Sequence, residues 1–154
     1  MQEVLHLKLH QYIRDNNPDL LINLQLDGDV GNYIKNSVAS VDVLMNEMMA
    51  SNTPAYIIEE RCMDELTREL RPSKFNYLRS ILEEEFEIDF QRLKEKGLLT
   101  YEIINIIEAC NPVFEVFGFN EKSESNRHLQ YCILGSIKEY LEKNSEKENV
   151  RYGF

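Results

Sequence analysis

The chain has 154 residues, 43% of them hydrophobic, with 27 acidic against 17 basic residues and a formal net charge of −10. This length fits one domain that can bury a core without a metal or a disulfide, and the hydrophobic share argues against global disorder. The negative charge disfavours nucleic acids and anionic membranes as direct partners, and no apolar run reaches the roughly 18 residues of a membrane span.

Apolar side chains recur at helical spacing along most of the chain, which predicts an all-α protein. The first predicted helix covers residues 2–15 and ends before Pro18, because proline disfavours helical geometry in the residue that precedes it. Residues 20–26 fit either a short helix or an extended connector.

Two further helices are predicted before the middle of the chain. The first covers residues 33–50. The second starts with Thr53 as a hydroxyl cap, followed by Pro54, whose missing N–H is harmless in the first turn, and continues to about residue 70.

The clearest helical pattern lies between residues 75 and 93. Its main apolar row consists of Phe75, Leu78, Leu82, Phe86, Phe90 and Leu93. A second row of Tyr77, Ile81 and Ile88 predicts that this helix is buried on more than one side. Gly97 is expected to end it.

The C-terminal third of the sequence predicts three more helices. Thr100 is expected to cap one that continues to about Cys110, and Pro112 is expected to restart the chain as a short helix ending at Gly118. The last helix is predicted over residues 124–143.

These elements predict a single multihelical domain of six or seven helices over residues 1–143, with orthogonal or bundle-like packing. Residues 144–154 form a polar tail. The sequence leaves open whether Tyr152 and Phe154 dock onto the domain or are disordered.

The three cysteines indicate a reducing compartment. Cys62, Cys110 and Cys132 are odd in number, widely spaced and each set in an apolar helical row, so we expect buried free thiols. The first residues show no basic segment followed by an apolar run, so we expect no secretory signal and a cytoplasmic location.

One possible metal site lies near the start of the chain. Glu3 and His6 have the Glu-x-x-His spacing of di-iron proteins, and His6 and His10 lie on one helical face. A di-iron centre needs a second such motif, but Ser125 stands where the glutamate partner of His128 would be. The sequence therefore favours ordinary surface histidines and leaves a two-histidine site open.

Two other arrangements could carry chemistry. Cys132 and His128 lie four residues apart and could touch, but an apolar surrounding would disfavour the thiolate.

The densest acidic run is Glu83, Glu84, Glu85, Glu87 and Asp89. Neighbouring acids on a helix point apart, so a solvated face is favoured over a pair of catalytic carboxylates.

A methionine group, Met45, Met48 and Met49, could form an adaptable surface for binding helices. Its spacing favours core positions for Met45 and Met48 and no particular role for Met49.

Several segments resemble a family of small bacterial proteins of unknown function, often carried on conjugative transposons of gut and oral anaerobes. The likeness rests on residues 9–20 (LHQYIRDNNPDL), 73–78 (SKFNYL), 81–86 (ILEEEF) and the pattern of 131–141. It covers about residues 5–143.

This resemblance implies an all-helical fold and residence in the cytoplasm, and it transfers no catalytic residue. The family commonly has a tryptophan near the position of Glu84, whereas this chain contains none. That difference concerns packing and not chemistry.

The sequence thus favours a non-enzymatic accessory or protein-interaction module that binds a protein partner or forms a homo-oligomer. It assigns no catalytic, cofactor-binding or metal-binding residue and no cofactor. One alternative is an acidic mimic of nucleic acid that binds a basic DNA-binding protein. The other is a metal or thiol enzyme that uses the histidines and cysteine above.

Overall fold

The computed structural model describes the backbone of residues 1–152 and the side chains of residues 1–145. All regular structure in this part of the chain is helical, which confirms the predicted class. In chain order the helices are α1 (Gln2–Asn16), α2 (Pro18–Asp27), α3 (Val30–Ala39), α4 (Asp42–Ala50), α5 (Ala55–Thr67), α6 (Lys74–Glu85), α7 (Glu87–Glu95), α8 (Leu99–Phe117) and α9 (Arg127–Tyr152). A short 3-10 turn, Arg68–Leu70, follows α5.

There are more helices than the six or seven predicted, partly because residues 33–50 form α3 and α4 and not one helix. The chain leaves helical geometry at Val41, where φ is −103° and ψ is 6°. The hydroxyl of Ser40 donates to the carbonyl of Ser37 and so competes with the helical hydrogen-bond pattern. The ambiguous segment after Pro18 is the helix α2, with this proline in its first turn.

The predicted central helix also consists of two helices, α6 and α7. Phe86 breaks it with φ of −132° and ψ of 50°. The break moves Glu87 and Asp89 into the first turn of a new helix, where negative charge is favourable. Ile88, which we predicted to be buried, is 85% exposed, so the second apolar row does not continue past the break.

By contrast, α8 is one helix where we predicted two. It continues through Pro112 to Phe117, whereas we predicted that a new helix starts at Pro112. The helix ends at Gly118, as we predicted, and the backbone of this glycine lies in the left-handed region with φ of 65°. Residues on both sides of the proline are buried, among them Cys110 and Phe114. Their packing outweighs the roughly 3 kcal/mol that an internal proline costs.

The predicted helix starts were less accurate than the ends marked by glycine. The N-cap of α5 is Pro54 and not Thr53, which we predicted. The N-cap of α8 is Leu98, whereas we predicted Thr100. The last helix begins at Arg127, because the side-chain oxygen of Asn126 accepts from the backbone N–H groups of His128 and Leu129 at 2.8 and 3.2 Å. Its backbone is helical to Tyr152, past the predicted end at residue 143.

The chain divides into two compact units, one of residues 1–73 and one that starts at Lys74. In the first unit α1 packs against α3 and α5. Its buried apolar residues are Leu5, Leu9, Ile13, Ile34, Val38, Val41, Met45, Ile58 and Cys62. The expectation of one domain over residues 1–143 stays a prediction.

In the second unit α8 packs against both α6 and α9. The core consists of Phe75, Leu78, Ile81, Leu82, Phe90, Ile103, Ile106, Ile107, Cys110, Phe114, Leu129, Ile133 and Ile137. The docking of Tyr152 and Phe154 falls outside the side chains that the structure describes. Within the described part, no helix has both the length and the apolar composition needed to cross a bilayer.

Candidate functional site

The residues of the possible metal site lie on α1, where Glu3 is exposed and His6 and His10 are half-buried. A stable site for a transition metal needs at least three protein ligands close together. Across residues 1–145, no group of three or more histidine, cysteine, aspartate or glutamate side chains is placed to hold a metal ion.

Cys132 is exposed, and our prediction that it is buried was wrong. The inner face of α9 carries Leu129, Ile133 and Ile137, and Cys132 lies beside this row at the edge of the polar face. His128 is exposed as well. Burial therefore does not distinguish this pair from ordinary surface residues.

The other two cysteines are buried, as predicted. Burial raises the pKa of the Cys110 thiol to about 12, and it also raises the pKa of Cys62. Both thiols stay protonated at neutral pH. They behave as small apolar core residues and not as nucleophiles.

The acidic run follows the end of α6 and the start of α7. Glu83, Glu84, Glu85 and Glu87 are exposed, and Asp89 is half-buried. The guanidinium groups of Arg79 and Arg92 lie 3.8 and 3.1 Å from Glu83 and Asp89. Exposed pairs of this kind contribute little to stability, so the run forms a hydrated surface.

The methionines divide between the core and the surface of the first unit. Met45 is buried, Met48 is half-buried and Met49 is 47% exposed. One exposed methionine does not make a methionine-rich binding surface.

A cavity of about 460 Å³ lies in the first unit beside Tyr12, Asp64, Thr67 and Arg71. The Arg71 guanidinium donates to the Asp64 carboxylate at 2.9 Å and to the backbone carbonyls of Asp64 and Thr67 at 3.1 and 3.3 Å. Arg71 therefore closes the C-terminal end of α5, and we assign it a structural role.

A second surface depression, the α6–α9 groove, runs along the second unit. Both α6 and α9 pack on α8, and side chains from both helices line this groove. Two hollows of about 320 and 290 Å³ share Gln130 as a wall. The first hollow is lined by Glu85, Arg127, Gln130, Tyr131 and Leu134. The second hollow is lined by Asn76, Tyr77, Ser80, Ile81, Glu84, Glu124 and Gln130.

The floor of the second hollow is aromatic. The Tyr77 ring packs edge-on against Phe114 and Phe119, with ring centroids 6.0 and 5.1 Å apart. Its hydroxyl is shielded from solvent and has no hydrogen-bond partner among the described residues. Burial, followed by the negative charge of Glu124, raises the pKa of Tyr77.

The rim of the groove combines an exposed aromatic ring with negative charge. Tyr131 is 72% exposed at the edge of the first hollow. Three glutamates line the two hollows, whereas Arg127 is the one cation in their lining. The groove therefore attracts positive charge and offers an aromatic contact.

The helical periodicity of the sequence placed Tyr77 in an apolar row and did not single out Gln130 or Tyr131 as site residues. One signal was present, because Tyr131 is an aromatic residue on the face of α9 opposite Leu129. The groove itself joins residues about fifty positions apart, which helical periodicity cannot reveal.

Comparison with known proteins identifies a family for this chain. A family model described as "Domain of unknown function (DUF1896)" matches residues 4–145. No curated protein matches the chain, and no solved structure matches it.

Proposed function

The chain belongs to the DUF1896 family, whose function is unknown, and we propose that it acts as a helical protein-interaction module through the α6–α9 groove. The observation that carries this proposal is the joining of two hollows through Gln130, with the exposed Tyr131 at their edge. Tyrosine is enriched in protein interfaces because its ring supplies contact area while its hydroxyl stays hydrated.

The chemistry of the groove supports a protein partner. Apolar side chains such as Ile81 and Leu134 lie beside polar and charged ones, the mixture found where a buried contact is surrounded by a polar rim. A groove between two helices is also a common place for a partner helix to dock.

Site-specific photo-crosslinking tests the proposal. A photoreactive phenylalanine analogue placed at Tyr131 should crosslink a defined protein in cells that produce this chain. The same analogue at Tyr101, which is 61% exposed on α8 and does not line the groove, is the matched control.

The crosslinked partner should then be purified and its affinity measured. Tyr131→Ala should weaken binding by about tenfold, or about 1.4 kcal/mol, because an exposed aromatic anchor is lost. Tyr101→Ala should leave the affinity unchanged. Equal crosslinking at both positions, or equal affinity of both variants, would count against the groove as the binding surface.

We also propose residence in the cytoplasm. Cys132 is an exposed free thiol, and exposed unpaired thiols persist best in a reducing compartment. Fractionation of producing cells should recover the chain with cytoplasmic marker proteins. Recovery from an oxidising compartment, with Cys132 in a mixed disulfide, would contradict this.

A further inference from the structure

Building on the proposed interaction role, we infer that the α6–α9 groove receives a basic amphipathic helix of another protein. One apolar side chain of that helix occupies the hollow beside Tyr131 and Leu134. A lysine or arginine one turn away enters the hollow that Glu84 and Glu124 line.

The dimensions of the groove fit a short stretch of helix. Along α6 the lining extends from Asn76 to Glu85, a rise of roughly 13 Å or about two and a half helical turns. The two hollows adjoin at Gln130. Side chains three or four residues apart on a docked helix would therefore enter neighbouring hollows.

The two hollows differ in chemistry. In the first hollow, Arg127 balances Glu85, and Tyr131 and Leu134 supply apolar contact area. The second hollow has two carboxylates, Glu84 and Glu124, and no basic residue in its lining. The first hollow suits an apolar anchor, and the second suits a cation.

The second hollow also suits the shape of a long cationic side chain. The Tyr77 ring and the small exposed part of Ile81 line this hollow and would contact the methylene stem, while the two carboxylates receive the charged head. Lysine and arginine side chains commonly bury their stems in this way and keep their charge at a polar edge.

A second copy of this chain is a poorer occupant. In a two-fold symmetric dimer the same surface of both copies would meet, so Glu84 and Glu124 would face their own counterparts. Like charges that are brought together across an interface oppose association. Nucleic acid would be repelled by the same carboxylates.

Designed peptides provide the test. The probe is a fluorescent amphipathic peptide of about 18 residues, or five helical turns, with a leucine face and a lysine face. One control peptide replaces each lysine with glutamine and keeps the leucine face. A second keeps the composition but scrambles the order, so that it has the same charge without an apolar face.

We expect the leucine–lysine peptide to bind at least about tenfold more tightly than either control peptide, and its affinity to fall as salt is added. The double variant Glu84→Gln/Glu124→Gln should bind it about tenfold less tightly, since both carboxylates that attract the cationic side chain are lost. The matched double variant Glu108→Gln/Glu115→Gln removes two exposed carboxylates of α8 outside the groove and should bind within about twofold of the wild type.

Each other outcome has a distinct meaning. If the glutamine peptide binds as tightly as the lysine peptide and Tyr131→Ala abolishes both, the groove is a docking site but the basic partner is ruled out. If the scrambled peptide binds equally well, attraction is unspecific and the inference fails.

Self-association gives the remaining outcome. If the chain alone sediments as a dimer that Tyr131→Ala dissociates, a second copy is the occupant and the inference fails. If groove substitutions change the affinity of neither the peptides nor the crosslinked partner, both the inference and the proposed function fail.

Discussion

Tyr77 and Tyr140 are half-buried tyrosines of the second unit whose hydroxyl groups have different surroundings. The Tyr140 hydroxyl donates to a carboxylate oxygen of Glu102 at 2.6 Å, and Asn144 donates to the same oxygen at 3.4 Å. This network joins α8 to α9. The Tyr77 hydroxyl has no such partner among the described residues, so the two residues should respond in opposite ways to removal of the hydroxyl.

Replacement of Tyr77 by phenylalanine should raise the free energy of unfolding by about 1 kcal/mol. The substitution keeps the ring packed edge-on against Phe114 and Phe119 and removes a buried polar group that lacks a hydrogen bond among the described residues. Urea unfolding followed by circular dichroism measures the change. A loss of stability would show that the hydroxyl has a partner in solution.

The matched substitution Tyr140→Phe should lower the free energy of unfolding by about 1.5 kcal/mol at neutral pH, because the bond to Glu102 is lost. Burial and then this bond raise the pKa of Tyr140 from 10.0 to about 12. The stabilising effect of the protonated phenol is therefore complete below pH 10 and disappears as the pH rises through about 12.

The stability difference between the wild type and Tyr140→Phe should accordingly shrink between pH 10 and 12. Denaturant titrations at several alkaline pH values measure it. The pKa of Tyr12, Tyr77 and Cys110 is raised as well, so both proteins lose stability there and the difference isolates Tyr140. A difference that stays constant across this range would contradict the assignment.

At the scale of the secondary-structure elements, the break at Phe86 determines which isoleucines reach the core. Ile81 precedes the break and is buried in α6, whereas Ile88 follows it and is exposed in α7. In an uninterrupted helix both would lie near one face, as we predicted from their spacing of seven residues.

The substitutions Ile81→Ala and Ile88→Ala test the break directly. Ile81→Ala should destabilise the protein by about 2–4 kcal/mol, because it removes buried methyl groups and leaves a cavity. Ile88→Ala should change the free energy of unfolding by less than about 0.5 kcal/mol, because the side chain is already hydrated. Thermal unfolding compares the two, and equal losses would indicate a continuous helix.

Helix interiors could be predicted from sequence more accurately than helix boundaries. The burial of Leu5, Leu9 and Ile13 and the helix ends at Gly97 and Gly118 follow from spacing and glycine chemistry. The break at Phe86 and the unbroken course through Pro112 do not, because each depends on what the neighbouring helices bury.

At the scale of the whole molecule, each compact unit has its own hydrophobic core. The first unit buries residues of α1, α3, α4 and α5, and the second buries residues of α6 to α9. A unit that buries an apolar core of its own meets the main condition for folding alone. Whether the chain forms one domain, as we predicted, is a matter of folding behaviour.

Separate production of residues 1–73 and 74–154 tests this point. Each fragment should give a helical circular dichroism spectrum and a cooperative thermal transition, with lower stability than the full chain because small domains bury less surface. Leu9→Ala should lower the transition of the first fragment, since Leu9 belongs to its core. Fragments that are both unfolded would support the single domain.

The helical class, most core positions and the acidic character of the chain could be predicted from the amino-acid sequence alone. These properties follow from local spacing and from composition, which need no information about distant residues. The exposure of Cys132 and the presence of the α6–α9 groove could be learned only from the packed structure. Both depend on which faces of α6 and α9 pack on α8, and that contact joins parts of the chain too distant for any local pattern to connect.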